Sequence, residues 1–183
     1  RPKDSERGFM TEPALTSSER FKSLETSTEA VRQYALIGAK LDRADLRGMN
    51  LDGVNLTGAS MRGADLTATS LRGTLFPSAD LSRACLLRAD CTGADFSNAD
   101  MSMSYLRAVN FSDARMWHTV LRSVYAKNAL FFGADLRGSD IKGAEMLGAR
   151  FNRARTEGMR NIQWATFKWF MPPTGGRPVY EPF

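Results

Sequence analysis

With 183 residues, 43% of them apolar and 25% charged, the chain has the size and balance of one ordinary globular domain; 25 basic against 20 acidic side chains leave a net charge of +5. The longest apolar stretches, such as 129–132, fall far short of the roughly 20 residues that cross a bilayer, so no transmembrane segment is expected. Two cysteines, Cys85 and Cys91, and one histidine, His118, cannot build a cysteine cluster or a multi-histidine metal centre.

The chain begins on Arg rather than Met, with no charged and apolar leader pattern after it, so it reads as a processed form or a piece of a longer protein. Residues 1–38 read as an N-terminal extension and cap. Pro2, Pro13 and many polar residues favour an extended start. Thr26 and Glu29 have capping-box spacing ahead of Ala30, Val31, Tyr34 and Ala35, which predicts a short helix near 27–36. Val31 and Leu36 also fall in the five-residue register of residues 39–158, so an irregular early coil is the other reading of this segment.

From Ala39 the chain divides into fives (AKLDR, ADLRG, MNLDG, VNLTG) and keeps that register through 158, for 24 units. The third position is a large apolar residue except at Ala126 and Thr156. The first position is Ala in 15 of the 24 units and otherwise mostly Ser, Thr or Val. Asp or Asn recurs at the second position and Gly at the fifth. A period of five suits neither a 3.6-residue helix nor a flat strand alternation, so the chain must turn at every unit. Four turns make a square coil of 20 residues, with large third-position and small first-position side chains inside and the rest outside. Rungs about 4.8 Å apart would satisfy the backbone, and six coils would rise roughly 29 Å. The fold class is therefore an all-β solenoid.

Units such as ADLRG at 44–48, ADLTA at 64–68, ADFSN at 94–98 and ADLRG at 134–138 resemble the motif of the pentapeptide-repeat family, and the resemblance covers 120 of the 183 residues. It implies a right-handed quadrilateral β-helix. Members of that family include DNA mimics that bind DNA gyrase and protect it from quinolones or peptide toxins, together with effectors, regulators and proteins of the thylakoid lumen. The resemblance leaves the compartment open between a plastid or thylakoid lumen and a bacterial cytoplasm.

After Gly158 the register dissolves. Ile162, Trp164, Phe167 and Phe170 have spacing that predicts a short capping helix over the end of the stack within the C-terminal segment 159–183. Pro172 and Pro173 stop it, and the remainder reads as an extended tail whose Tyr180 and Phe183 favour docking.

Chemistry is sparse. His118 sits at a corner with no nucleophile arranged about it, and no phosphate-binding glycine loop occurs. The recurring Asp column is better explained by turn hydrogen bonds than by paired catalytic carboxylates. No cofactor, no metal and no enzymatic activity are expected. The departures from the polar exterior carry more information: Leu87, Met103, Tyr105, Trp117, Val120, Tyr125, Leu130 and Phe132 are apolar at outward positions, and Trp164, Trp169 and Tyr180 lie in the C-terminal segment. These read as partner-binding candidates, or as ground covered by the chain's own ends. Lys142, Arg150, Arg153, Arg155 and Arg160 form a basic group near the C-terminal end, interspersed with Asp140, Glu145 and Glu157, so a nucleic-acid partner is not expected.

The combined reading is a non-catalytic protein-interaction or scaffold module, a subunit or accessory factor that docks on a larger assembly, with a homodimer among its partner options. The alternative is a DNA mimic binding gyrase or topoisomerase. It is disfavoured because the repeats carry 16 basic and 13 acidic side chains.

Overall fold

The computed structural model describes residues 36–166. Within them one turn recurs. The first-position amide of each unit donates to the third-position carbonyl before it, as Ala64 does to Met61 at 3.1 Å and Ala79 to Phe76 at 3.0 Å. Such a turn needs positive φ at its third residue, the fifth position of the repeat. Gly148 reaches that conformation without strain at φ 71°, but Arg83, Met103 and His118 hold it too, at 60°, 59° and 56°. A side chain in this region costs about 1–2 kcal/mol, which the bonded rungs above and below must offset. At the fourth position, ahead of that residue, Pro77 fits with its preset φ.

Between turns each unit makes one-residue parallel bridges to the units 20 residues before and after it: Asp65 pairs with Asp45 and with Cys85. Asp65 donates its amide to the Ala44 carbonyl at 2.9 Å, Leu66 to Cys85 at 2.7 Å and Ala68 to Leu87 at 2.8 Å. A turn every five residues with pairing every 20 gives four sides.

The fourth-position amide has no backbone partner in this scheme, and the second-position side chain serves it. Asp65, Asp80 and Asp95 accept from Thr67, Ser82 and Ser97 at 3.0, 3.0 and 2.9 Å. Where the second position is Ser, the coil below supplies the acceptor: Asp42 takes both the Ser60 hydroxyl and the Arg62 amide, and Asp52 does the same for Ser70 and Arg72. Leu75 needs no such device, because its fourth-position neighbour is Pro77, which has no N–H. The expected turn role of the Asp column is thus what the structure displays.

Inside, the third-position side chains form four columns. Leu46, Leu66 and Leu86 are fully buried in one. Phe76 stacks on Phe96 with centroids 4.7 Å apart, and Phe131 stacks on Phe111 and Phe151 at 5.2 and 4.8 Å. Ala126, small for its position, shares a coil with Phe131 and is fully buried. First-position threonines stay buried because their hydroxyls find carbonyls one coil below, Thr69 on Leu46 at 2.8 Å and Thr119 on Phe96 at 2.8 Å.

The regular turn begins one unit before Ala39. Leu36 is buried, Gly38 has φ 65°, and the Gly38 amide donates to Thr57 at 2.8 Å. Leu36 therefore belongs to a coil; the rest of the helix expected near 27–36, with its capping box, lies outside the described residues. At the other end Arg160 still pairs with Asp140, but Thr166 pairs with Glu145, one residue out of step. The extra residue is taken up by Asn161 at φ 62° and a 3-10 turn over Ile162–Trp164. That turn buries none of its side chains, and Trp164 is 63% exposed. Residues 159–166 thus extend the ladder instead of forming a helical plug. Phe167, Phe170, Trp169 and the tail with Tyr180 and Phe183 lie outside the described residues.

Candidate docking surface

The second-position side chains on one side of the prism run Asp45, Asp65, Cys85, Tyr105, Tyr125, Glu145 from coil to coil. Bridge pairing places Tyr105 directly beneath Tyr125, and their rings stack with centroids 5.2 Å apart and planes 12° from parallel. Both remain open to solvent, at 53% and 45% exposure. The turns bring fifth-position residues of the preceding units beside them, so Arg83, Met103, Tyr105, Ser123 and Tyr125 line one shallow groove. Leu87, half-buried, and Arg107 and Lys127, both exposed, flank it at fourth positions.

The other apolar candidates form a belt and not one patch. Leu130 and Phe132 are exposed on the next side, where the Arg153 guanidinium lies 5.3 Å over the Phe132 ring. Trp117 is exposed on the third side with His118 edge-on at 5.5 Å, and Val120 is half-buried on the fourth. Ile37, which precedes the repeat register and so gave no signal in the pattern, is also exposed.

The basic group does not converge either. Arg150 and Arg153 share a side with Phe132, Arg155 stands over Asp135 at 3.5 Å on the third, and Lys142 and Arg160 lie on the fourth. They make a rim around the last coil rather than a patch on one face.

Elsewhere the exterior is an interleaved lattice of ion pairs. Arg47 lies 2.7 Å from Asp45 and 3.8 Å from Asp65, and Arg62 bridges Asp42 and Asp80 at 3.5 and 3.6 Å. The Arg47 guanidinium holds the Asp45 carboxyl down at about 2. Near the C-terminal end Asp140, its side chain only 1% exposed, accepts from Arg122 at 2.8 Å and Asn161 at 2.8 Å. Burial pushes this carboxyl up, but the hydrogen bonds from Asn161 and Arg122 outweigh it, and the net shift is downward. Burial raises the Cys91 thiol well above its ordinary value, and Cys91 is inert core material. Among the described residues no group of three His, Cys, Asp or Glu side chains converges to hold a metal ion, and no helix is long and apolar enough to cross a membrane.

The family model for pentapeptide repeats matches residues 36–73, 76–113 and 119–155, with eight copies. The chain belongs to the pentapeptide repeat family. Its four-sided coil is the right-handed quadrilateral β-helix of that family, whose members are generally structural or interaction modules and not enzymes. Among solved structures, the pentapeptide repeat protein Rfr23 from the cyanobacterium Cyanothece 51142 is similar at TM-score 0.54 and 17% identity, over 82% of this chain and 99% of that one. HetL, a pentapeptide repeat protein involved in heterocyst differentiation regulation in Nostoc sp. strain PCC 7120, is 23% identical over 82% of this chain and 75% of its own, at TM-score 0.33. Full-length QnrB1, a plasmid-mediated fluoroquinolone resistance protein, is 17% identical over 70% of this chain and 92% of its own, also at TM-score 0.33. No curated protein matches the sequence. This pentapeptide repeat protein shares with Rfr23 a way of coiling; its surface has to be read from its own residues.

Proposed function

We propose that this protein is a non-catalytic docking module, a scaffold or accessory subunit that engages a protein partner through the side carrying Tyr105 and Tyr125. The observation that carries the reading is the stacked, solvent-open tyrosine pair beside Met103, mounted on a backbone whose every neighbouring rung is bonded. Two large aromatic side chains at positions the fold leaves free match the anchors that dominate protein interfaces, and a rigid mount keeps the entropy cost of binding low. Co-purification from the native source, comparing the wild type with Tyr105→Ser/Tyr125→Ser, tests it. The double variant is expected to melt as the wild type does and to lose a partner that the wild type retains; an identical partner set would sink the proposal.

The alternative, DNA mimicry toward gyrase, requires a continuous acidic exterior. Here the aspartates of the exterior are neutralised by arginines at fourth positions or held in turns, and the tyrosine side is cationic. Charge counts against it, and a supercoiling assay with purified gyrase that showed inhibition at micromolar protein would reverse the ranking.

A further inference from the structure

We infer that the tyrosine side takes a short acidic segment of its partner, apolar at the centre with carboxylates on either flank; this deepens the docking reading above and rests on it. The surface can be laid out as three rungs read across the side. The lowest is Arg83, Cys85 and Leu87, the middle is Met103, Tyr105 and Arg107, and the upper is Ser123, Tyr125 and Lys127. Its centre is apolar or aromatic, one edge carries Arg107 and Lys127, and the other carries Arg83 at the lowest rung. Arg88 adds a further charge at the corner beyond Leu87, with its amide bonded to the Arg107 carbonyl at 3.1 Å.

The charge on these edges is uncompensated. Arginines 47, 62, 72, 115, 122, 137 and 155 each have an aspartate within 3.8 Å. Among the described residues, Arg83, Arg88, Arg107 and Lys127 have none, and the three rungs contain no Asp or Glu. Acidic side chains return only in the rungs that bound the surface, at Asp65 below and Glu145 above. Among the described residues Arg43, Arg150, Arg153 and Arg160 also lack a carboxylate partner, but here four such cations stand in three rungs free of Asp and Glu beside exposed apolar rings, an arrangement complementary to carboxylates flanking a hydrophobic group.

The ring geometry favours a peptide over a nucleic acid. Single-stranded nucleic acid binds by laying bases on aromatic faces. Here each tyrosine has one face against its neighbour, and the column continues to Cys85 below and Glu145 above, so edges and hydroxyls are what the solvent meets. Length fits as well: three rungs at about 4.8 Å span roughly 10 Å, the reach of about three extended residues. A hexapeptide laid across the rungs would set its apolar centre on the tyrosines and its acidic flanks over Arg83 at one edge and Arg107 and Lys127 at the other, away from Asp65 and Glu145.

The test uses fluorescence anisotropy with dye-labelled Glu-Glu-Phe-Leu-Glu-Glu, its Gln-for-Glu and Lys-for-Glu counterparts, and an oligothymidylate of matching label. The acidic peptide is expected to bind at least about tenfold more tightly than the other three and to weaken as salt is raised. Arg107→Glu/Lys127→Glu should abolish that preference, and the neutralising pair Arg107→Gln/Lys127→Gln should reduce it while both variants melt as the wild type does. If the Gln peptide binds as well as the acidic one, the acidic class is wrong and the docking face stands. If no peptide binds, or none is affected by Tyr105→Ser/Tyr125→Ser, the docking face falls with it. Tighter binding of the oligothymidylate would overturn the peptide in favour of nucleic acid.

Discussion

The first three coils and the two above them share one backbone and one kind of core but differ in how they finish their surface. In the lower coils Asp65, Asp80, Asp90 and Asp95 each close a turn on a fourth-position amide, and Arg47, Arg62 and Arg72 lie against aspartates. In the upper coils Tyr105, Val120, Tyr125 and Leu130 occupy the same position and offer those amides no acceptor. The ladder bonds are unchanged: Tyr105 donates to Ala84 at 2.9 Å just as Asp65 does to Ala44. The second position is therefore where this fold can give up a local interaction of about 1 kcal/mol without losing its coil. Departures there report on use of the surface, whereas departures at the third position would report on stability.

Three kinds of substitution can break or sharpen that contrast. The largest effect is expected at Leu86→Asp, which places a charge in a fully buried column. No cooperative thermal transition should remain by circular dichroism, and an unchanged melt would refute the inward assignment on which both regions rest.

Next is Asp140→Ala, which frees Arg122 and releases Asn161 from the last regular coil. Arg122 is half-exposed and stays solvated, so the loss expected by urea denaturation is that of the hydrogen bonds to Asp140, about 2 kcal/mol. Because the Asp140 carboxyl is lowered in the folded state, its contribution is complete above the unfolded value near 3.9 and lost as pH falls through the folded one. The wild type should lose its advantage over the variant as acid is added; a gap that is the same at neutral and strongly acidic pH would count against the ion pair.

The smallest effects are paired. Asp95→Ala removes an acceptor from both the Ser97 amide and its hydroxyl and should cost about 1 kcal/mol. Tyr125→Asn restores such an acceptor while losing a ring stack of similar size, so stability should stay within about 0.5 kcal/mol while partner binding is lost. A loss above about 2 kcal/mol for Tyr125→Asn would make the tyrosine pair a structural feature and erase the contrast.

The solenoid was legible because its cause is local and repeated: every fifth residue from Leu41 has to fill the same interior, so the register alone identifies side, rung and burial. The second-position Asp role was legible for the same reason. The docking surface was half legible. Stacking the second and fourth positions in twenties brings Tyr105, Tyr125, Leu87, Arg107 and Lys127 together, but Arg83 and Ser123 were missed because they end the preceding units and reach this side only through the bend. Reading two residues back from Cys85 and from Tyr125 would have found them. The basic group from Lys142 to Arg160 misled for the opposite reason, since neighbours five apart in sequence point to adjacent sides of a prism. The C-terminal turn escaped because the one-residue slip at Asn161 is a matter of backbone conformation that the apolar spacing does not encode.

The pairing of each residue with its counterpart 20 positions on has a consequence for how such a protein can change. Removing one whole pentapeptide between Tyr105 and Tyr125 would leave the core and every bend intact, because the interior has a phase of five. The exterior has a phase of 20, so everything beyond the deletion would rotate a quarter turn about the axis, and Leu130 would arrive above Tyr105 in place of Tyr125. The lineage of this chain can thus lengthen or shorten the prism in single units while still folding, but only steps of four units keep a surface in alignment.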